Sequence, residues 1–130
     1  MSATRSGITS TVERCRTEES TPVCIDADDL ETTASEYLRD LKYELAREGY
    51  VPARLSARAN FDDDCSLSTQ EEADRVRDLV RAASFLGVGT VELSVDEVAC
   101  EEKVQPALEA CAERARREGV ALEVDGPVAL

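Results

Sequence analysis

Carboxylates stand at four places in this sequence where chemistry could use them. Asp26 and Asp28 follow a first β-branched run, and Asp62, Asp63 and Asp64 follow a second. Asp96 and Glu97 follow a third, and Asp125 a fourth. In parallel βα architectures, ligands sit beyond the carboxyl ends of the strands. Asp26, Asp62, Asp64 and Asp96 would there converge on one hard cation, Mg²⁺ or Mn²⁺, which takes oxygen ligands. The competing reading makes the same aspartates helix caps and turn formers, roles that Asp favours on its own account. No other cofactor is evident. There is no P-loop, GxSxG or HExxH, and Gly87-Val88-Gly89 lacks the third glycine of a dinucleotide loop. Histidine is absent, which removes the commonest general base and metal ligand.

A second group lies on one strand face. Arg54 and Arg58 are four residues apart in an alternating run, so they share a face about 13 Å apart. Glu92, Glu123, Asp26 and Cys24 are expected on that face too. Arginines placed so can clamp a phosphate or carboxylate bidentately. They can equally form a cross-strand salt-bridge layer with Glu92 and Glu123, covered by a partner. Self-pairing or another protein is the favoured occupant over a small molecule.

The five cysteines are Cys15, Cys24, Cys65, Cys100 and Cys111. Their number is odd and no two make a CxxC pair, which reads as reduced thiols in a cytosol. Three aspartates precede Cys65 and disfavour its thiolate, while a following helix N-terminus would act the other way. Without histidine there is no papain-like activation, so Cys65 reads as a loop cysteine. Cys111 reads as a small core residue.

The elements that must position these residues are legible from periodicity. Pro22 to Asp26 is a short strand. A helix carries Leu30, Ala34, Leu38, Leu41 and Leu45 up to Gly49, with Asp28 and Asp29 as its capping carboxylates. Val51 to Phe61 alternates apolar with polar, as a half-buried strand does. Ser68 with Glu71, or Thr69 with Glu72, has capping-box spacing and opens a second helix ending at Gly87 or Gly89. Thr90 to Val95 is a third strand. A third helix spans about Cys100 to Glu118, with Pro106 expected in its first turn or at a kink. Val120 to Asp125 is the last strand.

Ile8, Val12 and Cys15 allow a short helix within residues 1–21. Residues 22–130 form a single α/β domain. The order is βαβαβαβ, a two-layer fold with a mainly parallel four-stranded sheet. Doubly wound strands are buried on both faces and read as continuous apolar runs; these alternate. The helices are therefore expected mostly on one face, in a half-barrel-like arrangement.

The stretch from Asp78 to Pro127 contains "AASFLGVGTVEL" and "ERARREGVALEVDGP". It resembles the repeat of xylose-isomerase-like (β/α) barrels over about two βα units. That family works with carboxylates and histidines around a divalent metal, of which this chain offers only the carboxylates. The whole chain is also similar to small acidic proteins of unknown function from haloarchaea, which implies a habitat and no activity.

Charge supports the same habitat. The 130 residues carry 28 Asp plus Glu against 15 Lys plus Arg, a net charge of -13. Only Lys42 and Lys103 are lysines. An acidic, lysine-poor surface suits multimolar salt, where the Debye length is about 3 Å or less. The field repels nucleic acid and anionic membranes, and aromatics, at 4%, offer no base-stacking platform. Met1 to Ser20 lacks an apolar h-region, so no secretory signal is expected and the location reads as cytoplasmic. No run approaches the roughly 20 apolar residues of a membrane span.

These readings converge on a small halophilic α/β protein without catalysis of its own, working through a protein partner or as a homodimer. The alternative is a metal-dependent enzyme, isomerase- or lyase-like, acting on a small polar or phosphorylated substrate. There Asp26, Asp62, Asp64 and Asp96 would be ligands and Arg54 would orient the anion.

Overall fold

A computed structural model describes residues 22–128. The helix expected around Ile8, Val12 and Cys15 lies outside them. Strand β1 (Pro22–Asp26) leads through a 3-10 turn (Ala27–Asp29) to helix α1 (Ser35–Arg47). Then come β2 (Val51–Phe61), α2 (Ser66–Leu86), β3 (Thr90–Val98), α3 (Glu101–Arg117) and β4 (Ala121–Asp125). All three strand pairings are parallel, and the strand order is β1-β2-β3-β4. Each βα unit thus steps one strand further in one direction, as right-handed crossovers do when every helix stays on one side.

Alternation in the strands decides which side that is. Val23 and Ile25 of β1, Leu55, Ala57, Ala59 and Phe61 of β2, and Val91, Leu93 and Val95 of β3 are buried. They join Leu38, Leu41 and Leu45 of α1, Val76 and Val80 of α2, and Leu108 and Cys111 of α3 in one core. β4 is less enclosed. Its Leu122 and Val124 are half-buried, and Val120 and Val128 beyond its ends complete the core. Among the described residues, no helix is long and apolar enough to cross a membrane.

Several element ends differ from expectation, each for a local reason. α1 starts at Ser35, not near Leu30, and Asp28 and Asp29 do not cap it. Asp26 instead accepts from the Asp28 N–H at 2.9 Å, and Thr32 Oγ1 from the Ala34 N–H at 3.2 Å. Such short-range bonds offer the backbone an alternative to helix. α2 starts at Ser66 behind Cys65, so neither capping box forms. The Ser68 hydroxyl donates to Asp63 at 3.1 Å, Thr69 is buried, and Glu72 turns toward β2. β3 runs on past Val95 to Val98, through a register shift opposite Ala59 and Phe61. Pro106 sits in the second turn of α3, where its missing N–H leaves the Glu102 carbonyl without its intrahelical donor.

Candidate functional site

One face of the sheet carries the core, and the other carries polar side chains in rows. Parallel register places Asp26, Ser56, Glu92 and Glu123 side by side across all four strands. Cys24, Arg54, Thr90 and Ala121 form the row before it, and Arg58, Ser94 and Asp125 the row after. Arg54, Arg58, Glu92 and Glu123 therefore do share one face. Arg54 Nη1 pairs with Glu92 Oε1 and lies 3.9 Å from Glu123 Oε1. Arg58 Nη1 lies 3.8 Å from Asp96 Oδ2. The Arg54 and Arg58 side chains are 53% and 78% exposed, so each pair is worth no more than about 1 kcal/mol. These ladders contribute little to holding the sheet together.

At the carboxyl ends of β2 and β3 lies an open cleft of about 460 Å³, lined in part by Arg58, Asn60, Asp62, Arg75, Asp96 and Glu97. It brings together two of the four proposed metal ligands, Asp62 and Asp96. It does not include the others. Asp26 caps the 3-10 turn, and the Asp64 carboxylate binds Lys103 Nζ at 2.8 Å. That hydrogen bond, with the Lys103 charge, holds Asp64 below the usual aspartate range. Among the described residues, no group of three or more carboxylates or thiols is arranged to hold a metal ion.

Glu72, which the sequence offered only as a capping residue, and Arg75, which it did not single out, shape the wall of this cleft. β1 pairs with β2 only as far as Ser56, so β2 continues beyond its neighbour. The Phe61 carbonyl faces β3, where it accepts from the Ala99 N–H at 2.9 Å. Backbone groups alternate sides along a strand, so Arg58 O and Asn60 N–H face the vacated edge. Side chains occupy it. Arg75 Nη2 donates to Arg58 O, and Glu72 Oε2 accepts from Asn60 N–H at 2.6 Å. Arg75 Nε and Glu72 Oε1 are joined at 2.7 Å. The ion pair supplies the donor and the acceptor that one residue of an adjoining strand would supply. Burial pushes the Glu72 carboxyl up, but the bonds from Arg75 and Asn60 and the Arg75 charge outweigh it, so the group sits below its usual range. The capping-box spacing pointed to Glu72 for another reason, and no local signal names Arg75.

Cys65 ends its loop as the N-cap of α2. The Ser68 N–H and hydroxyl, then the Leu67 N–H, hold its thiol below the ordinary cysteine value, against burial and the Asp63 charge. The helix N-terminus thus outweighs the aspartates that precede it. Cys111 is buried in the core, and its Sγ donates to Ala73 O at 3.5 Å. Burial, ahead of the opposing influence of Arg77, raises its pKa.

Among solved structures, the chain is similar to the xylose isomerase domain protein from Planctomyces limnophilus. The TM-score is 0.63 at 10% sequence identity, over 82% of this chain and 44% of that one. The likeness is one of fold, and this chain spans less than half the length of that protein. No curated protein matches the sequence. A family model described as a domain of unknown function, DUF8564, matches residues 19–124, and the chain belongs to that family.

Proposed function

We propose that this chain works through its polar sheet face, as half of a barrel that meets a second half, in the simplest case a second copy of itself. One observation carries the reading. Four parallel strands in sequential order have their helices packed on one side, and the side that a closed barrel would turn inward bears exposed rows around Arg54 and Arg58. The fold likeness to 44% of a longer chain supports the same view. Each copy brings a charge of -13, so association is expected to need salt that screens it. The acidic, lysine-poor surface supports a salt-rich cytoplasm.

Light scattering in molar KCl is expected to give twice the 14.2 kDa chain mass. Dilution to roughly 0.1 M salt, where the Debye length is about 10 Å, is expected to return it to the monomer. The double variant Arg54→Glu, Arg58→Glu is expected to stay monomeric in molar KCl with its fold intact. A monomeric wild type at every salt concentration, with no protein partner sensitive to these substitutions, would retire the reading.

The cleft favours a second reading: a metal-dependent enzyme acting on a small polar or phosphorylated substrate. Asp62, Asp96 and Glu97 line the cleft with Arg58 near the strand ends, where βα folds bind ligands, although no three of the described carboxylates there are arranged around one point. The fold likeness to a xylose isomerase domain protein is compatible with it. Micromolar Mn²⁺ is then expected to raise the melting temperature in molar KCl, and Asp62→Asn with Asp96→Asn to abolish the rise. An unchanged melting temperature in the wild type removes this reading.

A further inference from the structure

The two consecutive βα loops at the carboxyl end of the sheet each end on a cysteine, and the two loops are tied together. Cys65 is the N-cap of α2 and Cys100 the N-cap of α3. Ser, Thr, Asp and Asn are preferred there because their oxygens bond the first helical N–H groups. Cys100 makes no such capping bond, and the Leu67 and Ser68 N–H groups that open α2 act on the Cys65 thiol instead of on an oxygen. The loops run together because β2 and β3 are adjacent and Ala99 N–H donates to Phe61 O at 2.9 Å. An ion pair then ties the two N-termini. Asp64, beside Cys65, binds Lys103, one turn beyond Cys100, at 2.8 Å. Asp64 also accepts from the Cys100 thiol, and the Lys103 ammonium senses both sulfurs. Cys65 is exposed and Cys100 half-buried, whereas Cys111 is enclosed in the core.

We propose that Cys65 and Cys100 form a reactive dithiol that small-molecule disulfides convert to an intramolecular disulfide stapling the two loops. The step balances as thiol–disulfide exchange. The Cys65 thiolate attacks one sulfur of R–S–S–R, a new S–S bond forms, and one RS⁻ leaves. Cys100 loses its proton to solvent, and its thiolate attacks the Cys65 sulfur. The mixed disulfide breaks and the second RS⁻ leaves. Two cysteine thiols are oxidised, one external disulfide is reduced to two thiols, and no other oxidant is needed. Cys65 is the attacking residue because the N–H groups opening α2 favour its thiolate and because it is the more exposed.

The inference is independent of the proposed sheet-face function, because neither cysteine lies in the polar rows. The test incubates the native full chain with oxidised glutathione and maps its peptides without reduction. The expected product lacks two hydrogens and joins the peptides containing Cys65 and Cys100. Cys100→Ser is expected to stop at a stable glutathione adduct on Cys65. Cys65→Ser, which places a preferred capping residue at that position and so is expected to fold, should form neither product at residue 100 at the wild-type rate. Lys103→Ala is expected to slow alkylation of Cys65 several-fold. A wild type that stops at the adduct, that pairs Cys65 with a different cysteine, or that does not react at all overturns the proposal.

Discussion

Gly126→Ala is expected to lower the stability of the chain by about 3 kcal/mol, the combined scale of backbone strain and overpacking. Gly126 follows β4 with φ of 151°, a conformation that L side chains rarely adopt. A Cβ there would overlap the Val95 carbonyl oxygen and stand 3.1 Å from the carbonyl carbon and 3.2 Å from the Val95 Cβ. The obstacle is strand backbone, which cannot swing aside as a flexible side chain would. The chain makes this approach where it leaves the edge of the sheet and returns Val128 to the core, 2% exposed. Urea unfolding at fixed KCl measures the loss. Gly89→Ala is the control, since nothing lies within 4 Å of its added methyl and its φ is not in the left-handed region. It is expected to change stability by less than about 1 kcal/mol. Equal effects at the two positions would mean that the chain end rearranges freely.

Glu72→Ala is expected to cost about 2 kcal/mol, more than an exposed ion pair would predict. The side chain is 17% exposed, and its removal strands the Asn60 N–H and the half-exposed Arg75 guanidinium together. Glu72→Gln keeps an acceptor for Asn60 but loses the charge, so about half that cost is expected. The pH dependence has a definite sign. A carboxyl whose folded pKa lies below its unfolded value contributes fully above the unfolded value, and the contribution is lost as pH falls through the folded one. Glu72 is such a group, with an ordinary value of 4.5. The gap in stability between wild type and Glu72→Gln is therefore expected to be constant near neutrality and to narrow as pH drops below about 4.5. A gap independent of pH across that window would show that Glu72 serves by shape and not by charge. Because the pair stands in for an adjoining strand, its loss also exposes two unpaired edge groups on β2, the kind of template that invites pairing with another chain.

Alternation in Val51–Phe61 and Thr90–Val95 was enough to place one apolar face and one polar face on the sheet. With three helical periods between four strands, it gave the parallel order and the one-sided helices. Arg54, Arg58, Glu92 and Glu123 were assigned to a common face by the same period of two. Element ends were less legible, because they depend on bonds that compete with the helix. Asp26 and Thr32 hold the segment before α1 out of helical geometry, and Asp63 draws Ser68 away from its capping role.

Of the four aspartates proposed as ligands, Asp96 lies within β3, which runs on to Val98, and periodicity has no information on which strand ends share a cleft. The structure gathers Asp62 and Asp96 and commits Asp64 to Lys103, the only lysine in the second half of the chain. The same bridge ties together the loops that carry Cys65 and Cys100, which in sequence are unrelated members of an odd set. Sequence by itself determined the fold class, the polar face and the charge of this protein, because each follows from composition or from a repeat of two or 3.6 residues. Only the tertiary structure decided that Glu72 and Arg75 complete the edge of β2 and that two distant thiols meet one ion pair. Those relations join residues on different elements, and they are fixed by strand register and strand length, which no local period encodes.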